Sequence, residues 1–364
     1  MDQPARVASV LIDKGKFVAI GNIAAPDGAQ VIDATGLKMY PGFIDSGTEV
    51  GLSEITSLKE SVDTGEQGEF TPNLRAIVAV NPESEHFPVV RSNGITSVVT
   101  FPGGGKQIVA GLAALLHTDG WTWEQMSLQS AAALDVTWPE KDASKLDAKL
   151  EEFFAAAERY RAARPSKRDV AFEAMLPVLE GKIPVAIAAA QEKDILSAIE
   201  FCDRHKLRMI LVGPRELGKA AAELKARSIP VVLGRTLSLP LHDSDRVDAA
   251  YTLPAQAYRA GLKIAFGTFN NQFVRDLPYN AATAVAYGLP YEEALKAITL
   301  NPAEIWGVAD RVGSISIGKS ADFLLTDGDP LETRTQVRQV FVAGVRSSTD
   351  SRQTRLYAKY RNRK

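Results

Sequence analysis

The sequence predicts an α/β protein, with one large barrel of alternating strands and helices carrying a smaller β unit. Three observations support this fold class. At 364 residues the chain is too long for one small core and long enough for a barrel with an accessory domain. From Phe43 onward, short apolar runs alternate with stretches of helical periodicity, the sequence form of repeated β-α units around a parallel sheet. The segments on either side of that region read as strands.

Val7 to Gly21 alternates apolar and polar residues around Asp13-Lys14-Gly15-Lys16, which predicts a hairpin. Gln30 to Gly36 leads toward the first apolar run. Inside the barrel region the predicted strands are Ile95–Phe101, Val185–Ala189, Met209–Val212, Val231–Leu233 and Ile264–Phe266. The predicted helices are Ala148–Arg164, Glu192–His205, Leu217–Arg227 and Glu292–Thr299. Each of these strands ends in a Gly or polar loop, which in such a barrel is the face that carries chemistry. Gly313 to Leu325 and Gln339 to Val345 are again strand-like.

Composition narrows the class. Hydrophobic residues at 45% and charged residues at 24% are those expected of an ordinary soluble globular protein, and a net charge of −2 argues against electrostatic binding of nucleic acid. The basic tail Arg352, Arg355, Lys359, Arg361, Arg363 and Lys364 reads as a solvated helix end, or as a contact surface for an acidic partner. No apolar run approaches the roughly 18 residues of a membrane-spanning helix, and no signal-peptide core is evident, so no membrane role is expected and the compartment is left open. Cys202 is the only cysteine and excludes an intrachain disulfide. His205 lies three residues on, but Phe201-Cys202-Asp203-Arg204-His205 reads as a surface helix turn.

The informative stretch is Tyr40-Pro41-Gly42-Phe43-Ile44-Asp45-Ser46-Gly47-Thr48-Glu49. It resembles the first barrel strand of the amidohydrolase superfamily, where Pro-Gly-hydrophobic-hydrophobic-Asp precedes the His-x-His that holds a catalytic metal. Here the two histidine positions read Gly47 and Glu49. Asn301-Pro302-Ala303-Glu304-Ile305, Gly307 to Ile315 and Gly318-Lys319-Ser320-Ala321-Asp322-Phe323 look like the closing signature of the same superfamily. Leu277-Pro278-Tyr279-Asn280-Ala281-Ala282 is similar to a helix of its imidazolonepropionase-like branch.

The resemblance implies a TIM-type (β/α)8 barrel over residues 41–311, with a composite β-sandwich built from residues 1–40 and 312–346, and a basic tail at 347–364. It also locates the remaining ligand positions. The histidine that ends strand five falls at Ala188, none is offered by Met209 to Glu216 at strand six, and the aspartate after strand eight falls at Thr268. Strand four shows no clear counterpart of its ligand. Four histidines lie elsewhere, at His86, His117, His205 and His242, and read as surface or structural residues. Glycine and alanine offer no donor atom, so no cofactor is expected, although an oxygen-only cation site could use Asp45, Glu49 and Glu54.

The mouth nevertheless remains polar. Glu49 and Glu54 could act as acid and base if their environments separate their pKa values, or could belong to a hydrated loop with Asp63, Glu66 and Glu69. Pro102-Gly103-Gly104-Gly105-Lys106 could cradle an anion at its backbone N–H groups beside Lys106, or serve as a rim loop; it lacks the spacing of a phosphate loop. Arg215 and Arg235 follow strands six and seven. They could bind an anionic ligand, or pair with Glu49 or Glu216 in the space of the missing metal. Trp121-Thr122-Trp123 predicts a capped helix start with its rings packed inward.

The expectation that follows is an amidohydrolase-family protein lacking the metal site, either a non-catalytic homologue or a subunit supporting a metal-retaining partner. A hydrolase of amide or cyclic amide C–N bonds using Glu49 or Glu54, and a small-anion binding protein, are the alternatives. A homo-oligomer, or a hetero-oligomer with a related amidohydrolase, is expected from the superfamily.

Overall fold

The computed structural model describes residues 6–103, 107–139, 143–240, 245–361 and 363. Eight strands follow one another round a single sheet: Phe43–Thr48, Ile95–Thr100, Val109–His117, Ser127–Thr137, Val185–Ala188, Met209–Val212, Val231–Leu233 and Ile264–Phe266. They are strands one to eight below. Strand three runs antiparallel to both neighbours, and the other paired strands are parallel.

The seam between strands eight and one is nearly closed. At the mouth, the Phe269 N–H donates to the Gly47 carbonyl at 2.7 Å. At the base, the Ile44 N–H reaches the Ile298 carbonyl and the Phe266 N–H the Ala297 carbonyl, so residues 297–298 supply acceptors to both strands. The paired edges are thereby satisfied without a continuous ladder.

Helices lie outside this sheet and bury the large apolar core, in which Phe201 packs edge-on to both Trp138 and Phe154. The interior core sets the alanines Ala113, Ala133, Ala186 and Ala265 among larger residues such as Ile44, Val99, Leu115 and Ile210. Three rings pack in series within it. Trp306 follows the helix Leu300–Ile305 at the base, Phe101 stands 5.9 Å from it, and Phe269 lies 6.2 Å from Phe101 near the mouth.

Both flanks of the barrel region contribute to a second unit. Lys38–Pro41 pairs with Phe323–Thr326, which pairs with Val337–Val342 and then Val345–Ser347, all antiparallel. The hairpin Ser9–Asp13 and Lys16–Gly21 packs against it through Phe17, which shares a core with Phe323, Leu325 and Phe341. Its two-residue turn places Lys14 and Gly15 at φ 48° and 76°, as a tight hairpin requires. A Cβ on Gly15 would also come within 2.6 Å of the Ala343 carbonyl oxygen.

Several expected elements shift. The antiparallel pair Val109–His117 and Ser127–Thr137 replaces a β-α unit. The helix expected over 148–164 spans Ala143–Ala163 and stops where Arg164 takes φ 43°. The one expected over 217–227 shortens to Ala220–Ala226, because Gly218 lies in the left-handed region. The helix expected over 292–299 spans Tyr291–Lys296, and a separate helix, Leu300–Ile305, follows Thr299, which lies outside helical geometry. Of Gly313 to Leu325, only the part from Phe323 is strand.

Candidate functional site

Asp45, fully buried on strand one, meets the residue that follows Gly267 after strand eight. Its Oδ1 accepts the N–H of Gly47 at 3.0 Å and that of Thr268 at 3.1 Å, and its Oδ2 lies 2.8 Å from the Thr268 hydroxyl. Burial pushes the Asp45 carboxyl up to about 7, against the three hydrogen bonds, which favour its ionised form. Thr268, the residue expected at the aspartate position of strand eight, is thus engaged with Asp45.

The next residue, Phe269, takes φ 48° and turns its ring over Gly47. A Cβ on Gly47 would stand 2.2 Å from Phe269 Cε1, and one on Gly267 would be 2.9 Å from the same ring. Both positions are therefore restricted to glycine by Phe269. Ala188 ends strand five with only a methyl group, half-buried.

Glu49 follows at the rim and is half-buried, and burial raises its carboxyl above the ordinary value. Glu54 belongs to a small loop closed by its N–H to the Ser61 carbonyl, and its Oε1 is buried without a hydrogen-bond partner among the described residues. Asp45 faces Thr268. Among the described residues no group of three or more His, Cys, Asp or Glu side chains could hold a metal ion, so Asp45, Glu49 and Glu54 are not gathered into the oxygen-ligand cage the sequence allowed.

Asp135 is a residue the sequence reading passed over. It sits on strand four opposite Ala186 of the interior core, and a Cβ on Gly103 would be 2.9 Å from its Oδ2. Burial alone pushes its carboxyl up to about 8. The available signal was a lone carboxylate closing the apolar run Ala131-Ala132-Ala133-Leu134.

The two arginines do not fill the mouth as salt-bridge partners. Arg215 is exposed and donates to the Leu239 carbonyl at 2.9 Å, while Glu216 accepts the Glu192 N–H. Arg235 lies over the Phe273 ring, 4.1 Å from its centroid. Pairing with Glu49 or Glu216 is therefore replaced by a carbonyl contact and a cation–π contact. Strand seven's exit is instead held by Asn280, whose Oδ1 accepts the N–H groups of Thr236 at 2.9 Å and Leu237 at 3.3 Å. Gly104, Gly105, Lys106 and His242 lie outside the described residues.

The other histidines have local partners. His86 Nε2 is 3.1 Å from the Glu54 carbonyl, and His117 Nδ1 is 3.5 Å from the Ser97 hydroxyl. His205 is not on a surface turn: its nitrogens lie 2.7 Å from Glu151 and 3.1 Å from Glu158, and it packs on Phe154 and Phe201. Cys202 beside it is buried, with its thiol pushed up to about 12. Thr122 caps its helix as expected, but Trp121 is 86% exposed and only Trp123 packs on the core. Among the described residues no helix is long and apolar enough to cross a membrane.

Comparison with known proteins places this geometry. The amidohydrolase family profile matches residues 218–348. The amidohydrolase tasK of Hapsidospora irregularis is 24% identical over 402 aligned positions, covering 94% of this chain and 40% of that protein. An imidazolonepropionase of Syntrophobacter fumaroxidans is 38% identical over 126 positions, covering 30% of each. The chain thus spans less than half the length of both. A crystal structure of an amidohydrolase from Thermotoga maritima superposes with a TM-score of 0.83 at 25% identity, covering 93% of this chain and 94% of the other.

Proposed function

Given that the chain belongs to the amidohydrolase superfamily, in the branch that contains the imidazolonepropionases, we propose that it is a non-catalytic homologue whose barrel mouth has been rebuilt around side-chain packing. The observation that carries this reading is the Phe269 ring seated over Gly47, where the first histidine of the strand-one motif would project.

The residues present do not fit the family's metal. Gly47 and Ala188 have no donor atoms, Phe269 offers a ring, and Asp45 is committed to Thr268 and Gly47. No step of a reaction is therefore assigned to a metal-bound water. On this reading Phe269, beside Thr268, fills the space after strand eight, because its ring is the group that faces Gly47.

The test is metal analysis together with turnover. The protein is produced in medium supplemented with zinc, manganese and magnesium, desalted, and assayed for bound metal and for hydrolysis of linear and cyclic amides. Metal far below one per chain and no turnover are expected. One tightly held metal per chain would overturn the proposal. Turnover lost on Glu49→Gln would instead favour a metal-independent hydrolase, with Glu49, whose carboxyl is raised by burial, as its candidate base.

A further inference from the structure

After the strand Val345–Ser347 the chain forms a nine-residue helix, Arg352–Tyr360, that buries none of its side chains. An isolated helix of this length is marginal in water, and most helices are held by packing an amphipathic face. This one is held by little. Ser351 closes a capping box with Thr354, and Arg355 pairs with Glu85 at 2.9 Å, an exposed ion pair of small worth. That pair turns the Arg355 side of the helix toward the barrel, and Asp350 lies 3.8 Å from the same guanidinium. At about 3.6 residues per turn, Tyr357 and Tyr360 project away from Arg355, with Gln353 between them and Leu356 beside them. The two rings and the leucine are 69%, 47% and 41% exposed. Arg352 and Lys359 border this face on one edge and Arg361 on the other. Lys359 Nζ and Arg363 Cζ stand 5.3 and 5.8 Å from the Tyr360 ring centroid. From Arg352 to Lys364 there are six basic residues and no acidic one, in a chain of net charge −2. Trp121, 86% exposed, adjoins Gly120, which lines the same cleft as Arg355.

We propose that this helix rests on the surface of an anionic lipid bilayer, with Leu356, Tyr357 and Tyr360 entering the headgroup region and the basic residues meeting lipid phosphates. An outward face of rings and leucine between basic edges is the pattern of a helix that lies in the interface plane. Tyrosine suits that depth, because its ring is apolar and its hydroxyl stays hydrated. Trp121 beside the helix supplies a further exposed ring of the same kind. Each Lys or Arg near such a surface adds its own attraction, and the bilayer supplies the apolar contact that the protein does not. An acidic polypeptide would meet the charges and leave the rings in water. Resting on a bilayer needs no spanning segment, in keeping with the lack, among the described residues, of a helix long and apolar enough to cross one. The helix lies apart from the Gly47–Phe269 contact, so the proposal stands or falls independently of the proposed loss of catalysis.

The test is co-sedimentation of the full chain with phosphatidylcholine vesicles carrying about 30 mol% phosphatidylglycerol and with vesicles of phosphatidylcholine alone, beside its binding to soluble polyglutamate. Binding to the anionic vesicles only is expected, and it should weaken as salt rises from about 0.05 to about 0.5 M. Combining Leu356→Ser, Tyr357→Ser and Tyr360→Ser keeps every charge and should weaken binding at least about tenfold. Combining Arg352→Gln, Lys359→Gln and Arg361→Gln spares the Arg355–Glu85 pair and should weaken it about a hundredfold. All six side chains are exposed, so neither variant removes core packing. Equal binding to neutral vesicles, no binding to anionic ones, or unchanged affinity in either variant would each overturn the proposal. So would polyglutamate bound as tightly as the anionic vesicles, which would mark an acidic polypeptide as the partner.

Discussion

At the scale of single residues, Gly47 and Phe269 form a matched pair. Gly47→Ala places a methyl 2.2 Å from a ring carbon, an overpacking expected to cost about 1–3 kcal/mol. Phe269→Ala removes a half-buried ring and is expected to cost about 2–4 kcal/mol, at or below the range for fully buried rings. In the double variant the overlap is gone, so urea unfolding should show the two costs combining to at least about 1 kcal/mol less than their sum. Additive costs would mean the ring does not hold its place over Gly47. Asp45 gives a pH signature. Its carboxyl titrates near 7 in the folded chain against 3.8 for an ordinary aspartate, so between these the folded state binds the extra proton. Its contribution to stability is therefore full below about pH 4 and is lost as pH rises toward 7. Asp45→Asn keeps the shape and can donate to the Thr268 hydroxyl, so it should flatten this part of the stability–pH curve and raise stability at pH 8. An unchanged slope between pH 4 and 7 would refute this assignment.

At the scale of elements, the chain holds loops in place through side chains on neighbouring helices. Asn280, on the helix Leu277–Ala286, satisfies two backbone N–H groups at the exit of strand seven and donates to the Asp276 carbonyl. Asn280→Ala should cost about 1–3 kcal/mol, the price of unsatisfied buried groups, and should speed hydrogen exchange at Thr236 and Leu237 before it affects strands one and two. Uniform loss of protection would point to a general role in packing. Strands six, seven and eight were legible because each is a short, wholly apolar run closed by Gly, Gly and Gly, at Gly213, Gly234 and Gly267. Strands three and four were not. The alanine- and leucine-rich run of strand three is buried on both faces and that of strand four over Ala132–Val136, and without alternation such runs carry neither the period of a strand nor that of a helix.

At the scale of the whole molecule, the likeness to amidohydrolases was readable from two stretches some 260 residues apart, because turns and backbone approaches confine residue choice at the strand-one entry and at Asn301 to Phe323. Asn301 illustrates this: its side-chain amide donates to the Ile264 carbonyl at the foot of strand eight. The content of the mouth was less readable. That Gly47 and Ala188 lack donors is visible in the sequence, but the ring of Phe269 depends on a positive φ, and Arg235 stacks on Phe273 only once the loop after strand eight is folded. Packing across distant loops leaves no periodic trace in a linear chain.

The pairing of Lys38–Pro41 with Phe323–Thr326 also orders events during synthesis. The first strand leaves the ribosome about 280 residues before its partner, an interval of roughly 15–55 s at about 5–20 residues per second. Throughout that time its hydrogen-bonding edge and the Phe17 hairpin await a mate, while the barrel can assemble from neighbours close in sequence. The nascent chain is then most exposed to mispairing at its amino-terminal strands, and a chaperone acting on it would be needed there until the last of the barrel has been made.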